Sequence, residues 1–99
     1  MIRRTLRDIC YETEAQKAID DACEGWLRTD DQVQLLEWII VRDPQEGLAL
    51  TESGLTRSLT LQGAASISSP TVTFVYEIER LRIVIRSARF EHAKAERRT

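Results

Sequence analysis

Two cysteines, one histidine and four glycines leave this chain little material for most site chemistries. Cys10, Cys23 and His92 have no metal-ligand spacing and cannot form a disulfide framework, so both thiols are read as small apolar fillers. Gly25, Gly47, Gly54 and Gly63 are scattered, which excludes a glycine-rich phosphate loop. A serine nucleophile elbow is missing too, and no cysteine–histidine pair has a third partner. No apolar run is long enough to span a bilayer, and Met1 to Asp8, MIRRTLRD, has no signal-peptide core. The expectations are no cofactor, no metal, no membrane and a cytoplasmic location.

What is present is an ordinary globular composition, 42% apolar and 30% charged over 99 residues. That length makes one domain with one core. The net charge of −2 conceals an asymmetry. Residues 11–50 hold ten acids against Lys17, Arg28 and Arg42, whereas residues 80–99 hold seven bases against Glu91 and Glu96. An acidic front half and a basic end describe two different surfaces.

The clearest pattern runs from Thr71 to Phe90, TVTFVYEIERLRIVIRSARF. Val72, Phe74, Tyr76 and Ile78 alternate with Thr71, Thr73, Val75 and Glu77, and Leu81, Ile83 and Ile85 alternate with Arg82, Val84 and Arg86. Period two in β-branched and aromatic residues predicts an antiparallel hairpin with one buried face. A two-residue loop would set Ile78 opposite Leu81, Tyr76 opposite Ile83 and Thr73 opposite Arg86. Glu79-Arg80 is poor chemistry for a tight primed turn, which leaves room for a one-residue slip.

Upstream, Thr13-Glu14-Ala15-Gln16 has the form of a capping box, followed by Ala15, Ala18, Ile19, Ala22, Cys23 and Trp26 at helical spacing. Thr29-Asp30-Asp31 reads as the cap of a second helix, Asp31 to Val41, apolar on most sides and ended by Asp43-Pro44. The acids of the first helix, Asp20-Asp21 among them, read as a solvated face. A turn over 44–47, a short extended piece or a turn at 48–50, and a strand from Leu55 to Leu61 follow. Gln62 to Pro70 reads as a mobile, structureless loop. Residues 1–10 fit either an edge strand or a helical turn. The reading is α+β: a two-helix hairpin packed on a small twisted antiparallel sheet, a core over 11–90 and a polar tail over 91–99.

Arginine is the residue type left to carry chemistry. Arg82 and Arg86 fall on the non-core face of the hairpin, with Arg80 at its turn and Arg89 at its end. Arg57 has the parity of Leu55, Leu59 and Leu61, so it is either a site residue or an arginine reaching solvent from the sheet edge. A row of guanidinium groups on a sheet suits phosphate, and it equally keeps an open sheet face soluble.

The order of these elements, with AQKAID in the first helix and TFVYEI–turn–LRIVIRSARF at the end, resembles the RelE/ParE superfamily of type II toxin–antitoxin toxins. The resemblance implies a toxin neutralised by a small antitoxin protein. In RelE-like members the activity is metal-independent mRNA cleavage on the ribosome; in ParE-like members it is gyrase poisoning. It matches Arg89 to the arginine that closes the last strand and stabilises phosphate, with Arg86 and Arg57 as further phosphate contacts. His92 stands where the family has an aromatic residue or a histidine for acid–base work. Thr73 stands where ribonucleolytic members place an arginine, and a pI near 5.4 departs from their basic character. The alternative is a non-catalytic interaction protein on the same fold, either gyrase-binding or a degenerate toxin homologue kept as a homo-oligomer.

Overall fold

The computed structural model describes residues 7–93. The elements are β1 (Asp8–Tyr11), α1 (Thr13–Gly25), α2 (Thr29–Arg42), β2 (Leu48–Ala49), β3 (Thr56–Leu61), β4 (Thr71–Ile78) and β5 (Arg82–Glu91), with 3-10 turns at Pro44–Glu46 and Ala65–Ile67. The chain is α+β, with two helices and a five-stranded sheet in the order β1-β5-β4-β3-β2.

The sheet is mixed rather than wholly antiparallel. β1 pairs parallel with β5, Asp8 beside Arg82 and Tyr11 beside Ile85, while the other three pairings are antiparallel. The topology requires this. Two successive helices return the chain to the end of the sheet that it left, so β2 runs opposite to β1. Three antiparallel reversals then bring β5 alongside β1 in the same direction. Asp8–Tyr11 is thus an edge strand, one of the two forms expected for residues 1–10; residues 1–6 lie outside the described residues. Of the expected polar tail, Glu91 is the last residue of β5, and residues 94–99 lie outside the described residues.

One layer of side chains joins helices to sheet. Ala15, Ile19 and Ala22 recur at spacings of four and three on α1, and Val33, Leu36 and Ile40 do so on α2. All of these but Ala22 join one cluster with Val72, Phe74, Tyr76, Ile83 and Ile85, which come from alternate positions of the two central strands. Phe74, Tyr76, Leu36 and Ile40 are completely buried, and each contributes about 1.5–3 kcal/mol of burial free energy.

The hairpin forms, but in a different register. Ile78 faces Ile83 and Tyr76 faces Ile85, two residues on from the two-residue-loop pairing. The Glu79 N–H donates to the Arg82 carbonyl at 2.9 Å, enclosing Arg80 and Leu81, neither of which has the positive φ of a primed turn. Leu81 is consequently not a core residue; it projects from the loop, 72% exposed. A shift of two preserves parity, which is why Ile83 and Ile85 still face the core. A bulge between Val75 and Tyr76 then adds one residue on β5, leaving Arg86 without a partner in the ladder. Beyond the bulge Thr73 lies opposite Arg89, not Arg86.

The helix starts differ as well. Thr13 is the first helical residue of α1 rather than its cap, and the Gln16 amide bonds Asp20 instead of reaching back. Thr29 opens α2 from a buried position, its hydroxyl bonded to the carbonyls of Ala22 and Trp26 at 3.0 and 3.1 Å. It ties the end of α1 to the start of α2, sharing the Ala22 carbonyl with the Trp26 N–H, which donates to it at 3.0 Å. Cys23 is exposed, with Sγ donating to Asp30 at 3.4 Å, so it is no core filler. Residues 62–70 are folded: Ala64 and Ser69 form a bridge, Ser69 and Pro70 are buried, and the Gln32 amide donates to the carbonyls of Gln62 and Pro70.

On the outer side of α2, Leu35 and Trp38 remain exposed. The Arg42 guanidinium lies 4.6 Å over the Trp38 ring. Trp38, Val41 and Arg42 border a groove of about 370 Å³ beside Ile9 of the edge strand. Among the described residues no helix is long and apolar enough to cross a membrane.

Both tyrosines tie elements together through neutral hydroxyls. Tyr11 packs edge-on against Phe74 and donates to the Glu37 carboxylate of α2; burial, then Glu37, hold its hydroxyl far above the usual range. Burial likewise raises Tyr76. Unfolded tyrosines ionise near pH 10, so the stability these hydroxyls contribute is complete below about pH 10 and falls as pH rises past it. Tyrosinate absorbance at 295 nm should therefore appear together with loss of the far-UV helical signal above pH 10. Full ionisation at pH 10 with the fold intact would contradict this.

Candidate functional site

The outer face of the sheet, opposite the helices, carries Ser58 and Thr60 on β3, Thr71, Thr73, Val75 and Glu77 on β4, and Arg82, Arg89 and Glu91 on β5. One cross-strand row on it is Thr60–Thr73–Arg89, set by the registers of β3–β4 and β4–β5. The two threonine hydroxyls are 2.8 Å apart. With Gln62, Glu91 and His92 they line a cleft of about 250 Å³. Arg89 is mostly exposed, and its closest acid, Glu91, stands off at 4.0 Å. A guanidinium so weakly paired in the open can exchange that contact for an anion.

The four residues nominated from the sequence separate into three places. Arg89 and His92 share this cleft. Arg86, displaced by the bulge, is clamped by carboxylates. Its Nε and Nη2 reach Glu77 Oε2 at 3.0 and 2.5 Å, and its Nη1 donates to Glu12. These two partners raise its pKa, and together they more than cancel its charge. Arg57 sits on the helix side of the sheet beside Tyr76. Its guanidinium is bound to three backbone carbonyls, Gly54 at 2.7 Å, Gln45 at 3.0 Å and Gly47 at 2.8 Å, which makes it a clasp on the turns either side of β2. Arg82 forms a 2.6 Å ion pair with Glu79 near the hairpin loop. Of the expected arginine row, Arg57, Arg82 and Arg86 are therefore engaged, and Arg89 is the open guanidinium of the cleft.

The chain matches no family model, no curated protein and no solved structure. What the site can do must come from its own geometry.

Strand parity brings Glu91 to the same side as Arg89, while Phe90 between them turns inward against Trp26, rings stacked at 6.4 Å. His92 follows at the sheet's corner. Its ring lies 5.0 Å from the Trp26 indole and tilted by 58°, and it borders both the cleft and a second cavity of about 190 Å³ on the helix side. A carboxylate, an imidazole, an arginine and two hydroxyls thus converge in one cleft. That set can hold a phosphate and move protons on either side of it. Among the described residues no three His, Cys, Asp or Glu side chains cluster as a metal site.

Thr60, Glu91 and Trp26 had no site role in the sequence reading. The signal for Glu91 was its two-residue spacing from Arg89, hidden because 91–99 read as tail rather than strand. Thr60 could be paired with Arg89 only once the bulge was known. Trp26 looked like the last residue of a buried helical stripe, and its second contact, His92, is 66 residues further along the chain.

Proposed function

We propose that the chain is a RelE/ParE-like toxin-type domain whose Arg89–His92 cleft takes a phosphodiester of RNA, and that a small partner protein neutralises it. The observation that carries this reading is the convergence of Arg89, Glu91 and His92 with the Thr60–Thr73 hydroxyl pair on an otherwise open sheet face. The α+β order with the helix pair over one face of the sheet is compatible with that fold, and the groove beside Trp38 and Ile9 offers a partner an apolar seat next to β1, an edge strand among the described residues.

A metal-independent cleavage follows from the residue types. The Glu91 carboxylate accepts the proton of a ribose 2′-hydroxyl as its oxygen attacks the adjacent phosphorus. The protonated His92 imidazole donates to the departing 5′-oxygen, and a 2′,3′-cyclic phosphate is left. Arg89 and the two threonine hydroxyls stabilise the charge on the non-bridging oxygens. No water is consumed in this step.

Expression of the intact protein should arrest growth, with cleaved RNA as the cause. Arg89→Ala should lower cleavage by roughly 10²–10³-fold, and the lesion should be visible in a primer-extension assay on translated mRNA. Cleavage unchanged by Arg89→Ala would remove the catalytic reading. Growth arrest without cleavage would select the second one, a non-catalytic interaction protein such as a gyrase-binding member. That alternative is favoured by the engagement of Arg86 and Arg57, which leaves the cleft a single arginine.

A further inference from the structure

On the outer face of the sheet a second arginine stands on the same strand as Arg89. In a regular strand, residues three apart point to opposite faces, so Arg86 and Arg89 should not share one. The bulge brings them together. Val75 lies opposite Ser87 and Tyr76 opposite Ile85, so Arg86 is the extra residue, and its side chain reaches Glu77 on the outer side. Two guanidinium groups on one face, about 10 Å apart along the strand, would begin a charged track for a nucleic-acid backbone.

Arg86 is held away from that use. One oxygen of Glu77 accepts from its Nε and Nη2 at 3.0 and 2.5 Å, and Glu12 accepts from its Nη1. Both carboxylates stand on backbone fixed beside β5: Glu77 pairs with Val84 in the ladder, and the Glu12 N–H donates to the Ile85 carbonyl at 3.1 Å. One cation between two carboxylates leaves a net charge of −1. A phosphate approaching Arg86 would meet both acids at close range, whereas at Arg89 it meets one acid standing off at 4.0 Å. Nearer the hairpin loop, Arg82 is paired with Glu79 at 2.6 Å. From the loop to the bulge, two arginines are thus set against three glutamates. The open guanidinium of Arg89 comes only beyond the bulge.

We infer that Glu12 and Glu77 determine specificity by keeping Arg86 from the ligand, so that the outer face grips RNA at one phosphodiester and not along a run of phosphates. The inference rests on the phosphodiester reading of the cleft and specifies how its ligand is held. A protein that tracks several phosphates gains affinity from the backbone of any strand, whatever its sequence. A single contact gives too little for that. Discrimination then falls to the groups around the scissile bond, Glu91, His92 and the threonine pair. Glu12 and Glu77 act through Arg86 and need not touch the RNA.

The probe is a fluorescein-labelled 2′-O-methyl dodecanucleotide, which cannot be cleaved because its 2′-oxygens carry no proton. Anisotropy titrations of the full chain at several salt concentrations give the slope of log K against log salt. That slope steepens by about 0.7 for each phosphate contact on a single strand. Arg89→Ala should make the parent's slope shallower by about 0.7, and Arg86→Gln should leave it unchanged. Glu12→Gln/Glu77→Gln should bind roughly tenfold tighter at low salt, the scale of one charge-assisted hydrogen bond. It should also steepen the slope by about 0.7, and adding Arg86→Gln should cancel both gains. Glu14→Gln/Glu24→Gln makes the same change of net charge on the exposed side of α1 and should leave the slope as it is. If Arg86→Gln flattens the parent's slope as Arg89→Ala does, Arg86 already holds a phosphate, and the inference fails with the cleft reading intact. It fails likewise if the Glu12/Glu77 pair adds no slope, if the α1 pair matches its gain, or if the gain survives Arg86→Gln. The Arg86→Gln comparison on the parent decides the matter even where circular dichroism shows the paired variant unfolded. If the parent does not bind, or Arg89→Ala leaves its binding and slope unchanged, the cleft reading itself is wrong and the inference falls with it.

Discussion

Gly63→Ala is expected to destabilise the protein by about 3 kcal/mol, lowering Tm by roughly 15 °C, although the added group is a single methyl. A Cβ at this position would sit 2.2 Å from the Ser69 carbonyl oxygen and 2.4 Å from both C and O of Pro70. All three are backbone atoms, so no rotamer change can relieve the contact. The neighbouring backbone is pinned on every side. Ala64 and Ser69 exchange two hydrogen bonds at 2.9 and 3.1 Å, the Gly63 N–H donates to Thr71 Oγ1 at 3.0 Å, and the buried Gln32 amide holds Gln62 and Pro70 to α2. Parting the strands to admit the methyl would strip those partners from buried groups, each of which costs about 1–3 kcal/mol when orphaned. Gly25→Ala is the matched control, expected to be neutral or slightly stabilising at a helix position with open space around it. Chemical denaturation followed by circular dichroism measures both. A loss below about 0.5 kcal/mol for Gly63→Ala would show that 62–70 yields freely.

The same segment shows where sequence reading stops. QGAASISSP has no apolar period, so nothing in it predicts packing, yet two backbone carbonyls at its ends are claimed by one glutamine 30 residues upstream. Gln32 itself is a polar residue in a helix apolar on most sides. Its burial is explained only by a partner that has no sequence signature. By contrast Val72, Phe74, Tyr76, Ile83 and Ile85 were legible because alternation reports a buried sheet face directly, whatever the register. Register was not legible, since a shift of two leaves Ile83 and Ile85 on the core side and costs the core only Leu81. The candidate site lies on the polar residues of the other face. Arg89 beside Thr73 and Thr60 depends on a single bulged arginine, and no pattern in IVIRSARF marks Arg86 as the residue to be expelled. Its side chain there pairs with two carboxylates, Glu77 on the neighbouring strand and Glu12 at the start of α1. Charge asymmetry along the chain also carried less than it promised for the sheet face, because Glu79 pairs with Arg82, and Glu12 and Glu77 pair with Arg86, at short range.

A second large effect is expected at Gly47, together with a defined coupling to Tyr76. The Tyr76 hydroxyl is buried between α2 and β2, donating to the Pro44 carbonyl at 2.6 Å and accepting the Gly47 N–H at 3.2 Å. A Cβ on Gly47 would lie 2.5 Å from that hydroxyl and 2.7 Å from the Ser58 carbonyl. Gly47→Ala must therefore push the phenol off both partners and strain the β2–β3 pairing as well, at a cost of about 3 kcal/mol. Tyr76→Phe removes the hydroxyl and leaves a buried N–H unpaired, costing about 2 kcal/mol. In the double variant the hydroxyl is no longer present to clash, and its two hydrogen bonds cannot be lost a second time. The combined cost should fall short of the sum by about 1 kcal/mol, a coupling of the size found for residues in contact. The remaining loss belongs to the Ser58 carbonyl and to Arg57, whose Nη1 grips the Gly47 carbonyl at 2.8 Å and must follow the displaced turn. Urea titrations of the four proteins with a common m-value give the cycle. Additivity to within about 0.3 kcal/mol would mean that the hydroxyl yields without resistance, and that Arg57 rather than Tyr76 holds this end of the sheet to the helix pair.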